Sequence, residues 1–332
     1  MINDPKFFKA ANNQDGAAEF KRCIPVGVQT SFKTMAPAIA TAEQLRLLPY
    51  LGQPLFDRAA TYYAYHTEAD ATLDELVAHI QMTVVRMALW DSFDQLQAFM
   101  TDNGMADNQE SEHRLYRYQS DALRNSLQRQ GYEWLNKTLE FCTTHVQALT
   151  GFQQSPYYTE RQDSMIHSMA DFERFVAIGH DFTVFAKLRD VIETTDTMEL
   201  PYRLGDTLLA VVKSDPTSAR IAPLMHGIQG FVAHWSMADA IPFLNLQATA
   251  NGLVIVAEQS NDGAARQQAP EQQILAFAKR HRDAAERYIG QVVTYCKQHR
   301  DTYPEIEALG PSESEHADDL LDNDHRKTFT VL

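Results

Sequence analysis

Apolar side chains recur along this chain mostly at the three-and-four spacing of a helix. The clearest stripe is Leu73, Leu76, Ile80, Val84 and Met87, one face of a helix predicted over Thr72–Met100. Before it, Met35–Leu47 reads as an Ala- and Leu-rich helix stopped near Pro49. Leu51–Tyr65 resumes after a Gly-centred turn, with Pro54 tolerable in the first turn. A helix over Arg114–Leu149, eased at Gly131, follows the hairpin-type turn Asp102-Asn103-Gly104. Further helices are predicted over Phe172–Ile192, Gly205–Lys213, Ala219–Gln247 and Glu271–His299. Beside Asn251-Gly252, the run Leu253-Val-Ile-Val-Ala257 has strand composition. The fold class is mainly α, with a minor β-hairpin element in each half. Whether the strands pair within a half or between halves stays open.

The chain also repeats itself. Phe32 precedes Gly52 by 20 residues, and Phe185 precedes Gly205 by the same interval. Leu48-Pro49-Tyr50-Leu51-Gly52 returns as Leu200-Pro201-Tyr202-Arg203-Leu204-Gly205, and Leu55-Phe56 as Leu208-Leu209. At an offset of 148, Ile80-Gln81 pairs with Ile228-Gln229, Val84 with Val232, Asp91 with Asp239 and Asn103-Gly104 with Asn251-Gly252. At 154, Leu135, Phe141, Cys142 and His145 pair with Ile289, Tyr295, Cys296 and His299. A shared helical period explains matching apolar positions but not matching Leu-Pro-Tyr, Asn-Gly and Cys-x-x-His phrases. The predicted organisation is two tandem copies of a unit of about four helices. It comprises an N-terminal extension (1–24), repeat 1 (25–149), a linker (150–171), repeat 2 (172–300) and an acidic tail (301–332).

From Asp301 to His325 there are nine acidic residues and no Lys or Arg. Such a run repels itself, so it is expected to be extended. It ends in Thr328-Phe329-Thr330-Val331-Leu332, which alternates polar and apolar side chains. Those five residues are the candidate interaction segment, a strand that could add to a neighbour's sheet edge. A frayed terminus is the ordinary alternative.

Charge and composition exclude several classes. Lys+Arg number 29 against 44 Asp+Glu, a formal net charge of −15 over 332 residues. Phosphate backbones need clustered basic charge, so direct nucleic-acid binding is not expected. No apolar run approaches the roughly 20 residues of a membrane span, and the N-terminal sequence lacks the basic start and apolar core of a secretory leader. Three cysteines fit a reducing compartment rather than a disulfide framework.

The chemistry-bearing patterns are few. No nucleophile elbow, phosphate loop, dinucleotide fingerprint, His-Glu-x-x-His or Cys-x-x-Cys occurs. Cys142-x-x-His145 with Cys296-x-x-His299 could supply a tetrahedral zinc set, since i and i+3 share a helix face. Their apolar flanks favour packing instead. Glu110-Ser-Glu-His113 returns as Glu313-Ser-Glu-His316, but neither copy lies on the apolar face that a di-metal bundle requires. His226 and His234 lie on one predicted helix with no carboxylate partner in the pattern. No catalytic, cofactor-binding or metal-ligating residue is assigned, and no cofactor is expected.

Leu51-Gly52-Gln-Pro-Leu55, Ile80-Gln81, Asn103-Gly104 and their second-half counterparts resemble an uncharacterised, internally duplicated helical family from prophage-like regions of anaerobic gut bacteria. More distantly, the short-helix, long-helix plan resembles the head–tail connector proteins of tailed phages. The resemblance implies a non-enzymatic structural protein, an adaptor-ring component of a phage-like particle. Its partners would be further copies of itself and other particle components. It would be made in the cytoplasm and carried in the particle. The alternative is an enzyme or small-molecule binder with a pocket between the two halves.

Overall fold

The computed structural model describes residues 4–8, 13–24, 32–65, 69–101, 104–107, 117–241, 244–249, 252–256 and 271–308. The first half begins with α1 (Asn13–Cys23) and α2 (Phe32–Ala42). A π turn (Glu43–Leu47), α3 (Leu48–Leu51), α4 (Gln53–Tyr65) and α5 (Ala71–Asp91) come next. Then come α6 (Phe93–Gln97), the strands β1 (Ala98–Thr101) and β2 (Gly104–Asp107), and α7 (Arg117–Thr144). A junction of two short helices, α8 (Pro156–Gln162) and α9 (Met169–Glu173), leads to the second half. That half runs α10 (Phe182–Thr194), a π turn (Thr195–Glu199), α11 (Leu200–Leu204), α12 (Asp206–Ser214) and α13 (Ala222–Ala240). It closes with β3 (Asn245–Thr249), β4 (Gly252–Val256) and α14 (Glu271–Gln298).

The chain is mainly α, and the order of elements repeats. In each half a helix enters a five-residue π turn, and a Pro-containing short helix ends at a glycine with positive φ. After the glycine come a helix, a long helix and a 28-residue helix. Gly52 (φ 73°, ψ 153°) and Gly205 (φ 77°, ψ 145°) adopt nearly the same backbone. A side chain there would be strained, and at Gly52 its Cβ would lie 2.9 Å from the Cα of Ser155. The repeated Leu-Pro-Tyr…Gly phrase is therefore a corner. Its proline sits in the first turn of a short helix, and its glycine makes the left-handed exit.

Each half packs its two long helices together, α5 on α7 and α13 on α14. The stripe Leu73, Leu76, Ile80, Val84 and Met87 is buried, and Asp70 caps α5 by accepting from the amides of Thr72 and Leu73. Gly227 and Gly230 let α14 come close: a Cβ on Gly230 would lie 2.7 Å from the Tyr288 ring. Both halves contribute to one continuous core. At their meeting point Phe182 lies with its ring centroid 6.4 Å from both Tyr50 and Tyr132.

Several expectations need correcting. The strands pair antiparallel within each half, Ala98 opposite Asp107 and Asn245 opposite Val256, so the alternative of pairing between halves does not form. The helix expected over Phe172–Ile192 is broken by Gly179 and His180, both with positive φ, and restarts at the N-cap Asp181. The 150–171 stretch is not a loose connector, because Phe152, Tyr157, Met165 and Ile166 are buried in the core. The N-terminal extension likewise buries Phe7, Phe8 and Phe20. The acidic tail is not extended from Asp301 onward, as its charge predicts. Tyr303 and Ile306 are buried and Glu305 pairs with Arg220, because apolar residues alternate with the first charges. Glu110–His113, Glu313–His316 and the candidate segment Thr328–Leu332 lie outside the described residues.

Candidate functional site

Two buried carboxylates occupy equivalent places in the π turns. Glu43 and Asp196 are separated by the offset of 153 that relates Phe32 to Phe185 and Gly52 to Gly205. Glu43 accepts from the backbone amides of Lys6 (2.8 Å, Oε2) and Phe7 (3.2 Å, Oε1). Asp196 accepts through Oδ2 from the Ser164 hydroxyl (2.7 Å) and the Met165 amide (3.0 Å). The same straps are held a second time by the repeated glutamines. Gln81 donates to the Phe7 carbonyl at 2.8 Å, and Gln229 to the Met165 carbonyl at 3.2 Å. Each half therefore clamps an upstream stretch of backbone between a carboxylate and a glutamine. Burial is the main cause that lifts both acids, Glu43 to about 7 and Asp196 to about 6, against the lowering effect of their donors.

The two clamps differ in one respect. Glu43 uses both oxygens, whereas Asp196, one methylene shorter, uses only Oδ2. Its Oδ1 is buried without a hydrogen-bond partner, and the residue is 2% exposed. Asp196 lines a cavity of about 320 Å³ between α8 and α10, where the two halves join.

The π turns also set which side chains face solvent. A π turn accommodates an extra residue in the helix and rotates the residues beyond it around the axis. Leu47 and Leu200 point into the core, while Leu45 (67% exposed) and Met198 (69%) stand outward. These two share the 153 offset as well, and Tyr202 (69% exposed) lies one helical turn beyond Met198.

The Cys-x-x-His pairs are packing and capping devices. Cys142 and Cys296 are fully buried, and burial raises both thiols, Cys296 to about 11. His145 Nδ1 lies 3.1 Å from the Phe141 carbonyl and His299 Nδ1 2.9 Å from that of Tyr295. Each ring leans on the aromatic four residues earlier, at 4.3 and 4.2 Å. They cap carbonyls at the ends of α7 and α14. His234 finds a histidine rather than a carboxylate. Its Nδ1 is 2.9 Å from that of His281, and burial lowers both rings. His226 packs on Phe175 and Tyr288. Among the described residues, no set of three or more His, Cys, Asp or Glu is arranged to hold a metal ion, and no helix is long and apolar enough to cross a membrane.

Sequence reasoning finds the glutamines as a repeated Ile-Gln phrase without a role for them. It passes over Glu43 and Asp196, although their common offset with Phe32 and Phe185 is a usable signal.

No curated protein and no solved structure matches the chain. One family model matches it twice, over residues 47–162 and again over 198–314, which agrees with the duplication read from the sequence and seen in the order of elements. The two matches cover well over half of the chain, which therefore belongs to a family of unknown function (DUF6712).

Proposed function

We propose that this protein is a non-enzymatic structural subunit, an adaptor that assembles with copies of itself. Its place would be in a phage-like particle, as a component of head–tail connector type. The observation that carries the reading is the pair of outward apolar side chains at equivalent π turns, Leu45 and Met198, the latter extended by Tyr202. A large apolar side chain buried at a contact is worth about 1.5–3 kcal/mol relative to exposure. Two equivalent ridges on one chain suit a subunit with a neighbour on each side, as a ring requires. The resemblance of the sequence to prophage-encoded proteins supplies the particle context.

Mass photometry of the purified chain tests assembly. A defined multimer is expected, and the double variant Leu45→Asp, Met198→Asp should shift it to monomer while leaving the helical circular dichroism unchanged. A wild-type chain that stays monomeric at micromolar concentration, or a double variant that assembles as before, overturns the reading.

A further inference from the structure

We infer that the cavity between α8 and α10 is a binding site for a small organic ammonium ion, held by the free oxygen of Asp196. This goes beyond the assembly proposed above and does not rest on it.

A buried carboxylate oxygen without a donor costs about 1–3 kcal/mol, and more when charged, so native structures rarely leave one. Asp196 is 2% exposed, its Oδ2 is fully engaged, and its Oδ1 has no partner. In the other half Glu43 spends both oxygens on its strap, whereas Asp196 holds its strap with one, so the free oxygen is not needed to hold the backbone. The cavity is about 320 Å³, at the lower end of the range of small-molecule sites, about 300–1,000 Å³.

The walls select a cation. Five carboxylates face three Arg or Lys side chains around the cavity. Two of those cations are already engaged: Arg189 pairs with Glu160, and Arg161 donates to the Thr143 hydroxyl at 2.8 Å. Lys213 lines the cavity, is itself exposed, and acts on Asp196 only as a favourable charge. The carboxylates are not gathered into a three-ligand metal set, which favours a hydrogen-bonding cation over a metal ion. Phe185 and Ile192 add apolar wall, fitting a short alkyl stem behind the charged head. A primary ammonium satisfies this description: it offers three N–H donors, one for Oδ1, on a stem that apolar contacts can hold.

Calorimetric titration of the full chain at pH 8 tests this with n-butylammonium chloride and, as the neutral isostere, n-butanol. The ammonium should saturate one site per chain, and n-butanol should show no saturable heat. Asp196→Asn should weaken ammonium binding at least tenfold. Lys213→Met, at an exposed position, should strengthen it several-fold by removing a competing positive charge. Equal binding of n-butanol, undiminished binding by Asp196→Asn, or unchanged or weaker binding by Lys213→Met each overturns the inference. If Asp196→Asn does not fold, the neutral isostere and Lys213→Met still decide it.

Discussion

Glu43 shows how a single side chain ties stability to pH. It is 1% exposed, and burial raises its acid from 4.5 to about 7. The folded state therefore holds a proton that the unfolded chain has released at any pH between those values. Stability is greatest at the acid end of that window and falls as pH rises through it. The shift corresponds to about 3 kcal/mol. Urea unfolding at pH 5, 6, 7 and 8 should show this decline. Glu43→Gln should flatten it, because the amide does not titrate. A slope that survives the substitution would place the proton elsewhere. The carboxylate itself is visible in the sequence, at an offset shared with its neighbours. Its partners are not, because backbone amides 36 and 37 residues upstream leave no mark on side-chain pattern.

Helix contacts make sharper demands than helix propensity, and glycines show the difference. On α13, a Cβ at Gly230 would lie 2.7 Å from the Tyr288 ring, whereas at Gly290 on α14 nothing lies within 4 Å. Gly230→Ala should destabilise by about 1–3 kcal/mol through overpacking. Gly290→Ala should stabilise by about 0.5–1 kcal/mol through helix propensity and the stiffer unfolded chain. Thermal melts of the two variants should move in opposite directions. Periodicity locates most helices because the stripes on α5 and α14 are long. It runs α5 on to Met100 and carries α2 through the π turn, since an added residue in a helix leaves the composition unchanged. The kink at Gly179-His180 escapes it for a related reason: apolar spacing on either side still reads as one face.

At the scale of the whole molecule, the halves are two copies that share a core. Phe182, 1% exposed between Tyr50 and Tyr132, belongs to the second half but touches the first. Phe182→Ala should cost about 3–5 kcal/mol. Because the core is continuous, it should lower one common unfolding transition rather than split it in two. Calorimetry that resolves two transitions in the wild-type chain would contradict the shared core. The duplication is legible because short phrases recur in order. The junction is not: Gly151, Ser155 and Pro156 look like a linker, yet Gly151 lies against Pro54 and Leu55, and Ser155 caps α8 beside Gly52. Turn-forming residues mark a change of chain direction whether the turn is buried or free.

The two π turns record an order of events. Both halves carry the added residue, the left-handed glycine, the carboxylate–glutamine clamp and the histidine cap, so a single ancestral unit already possessed all four when it was copied. Whatever separates the halves arose later. The difference in length between Glu43 and Asp196, which leaves Oδ1 free beside the cavity, belongs to that later period. The doubling thus kept one clamp fully occupied at Glu43 and left the other able to acquire a new use.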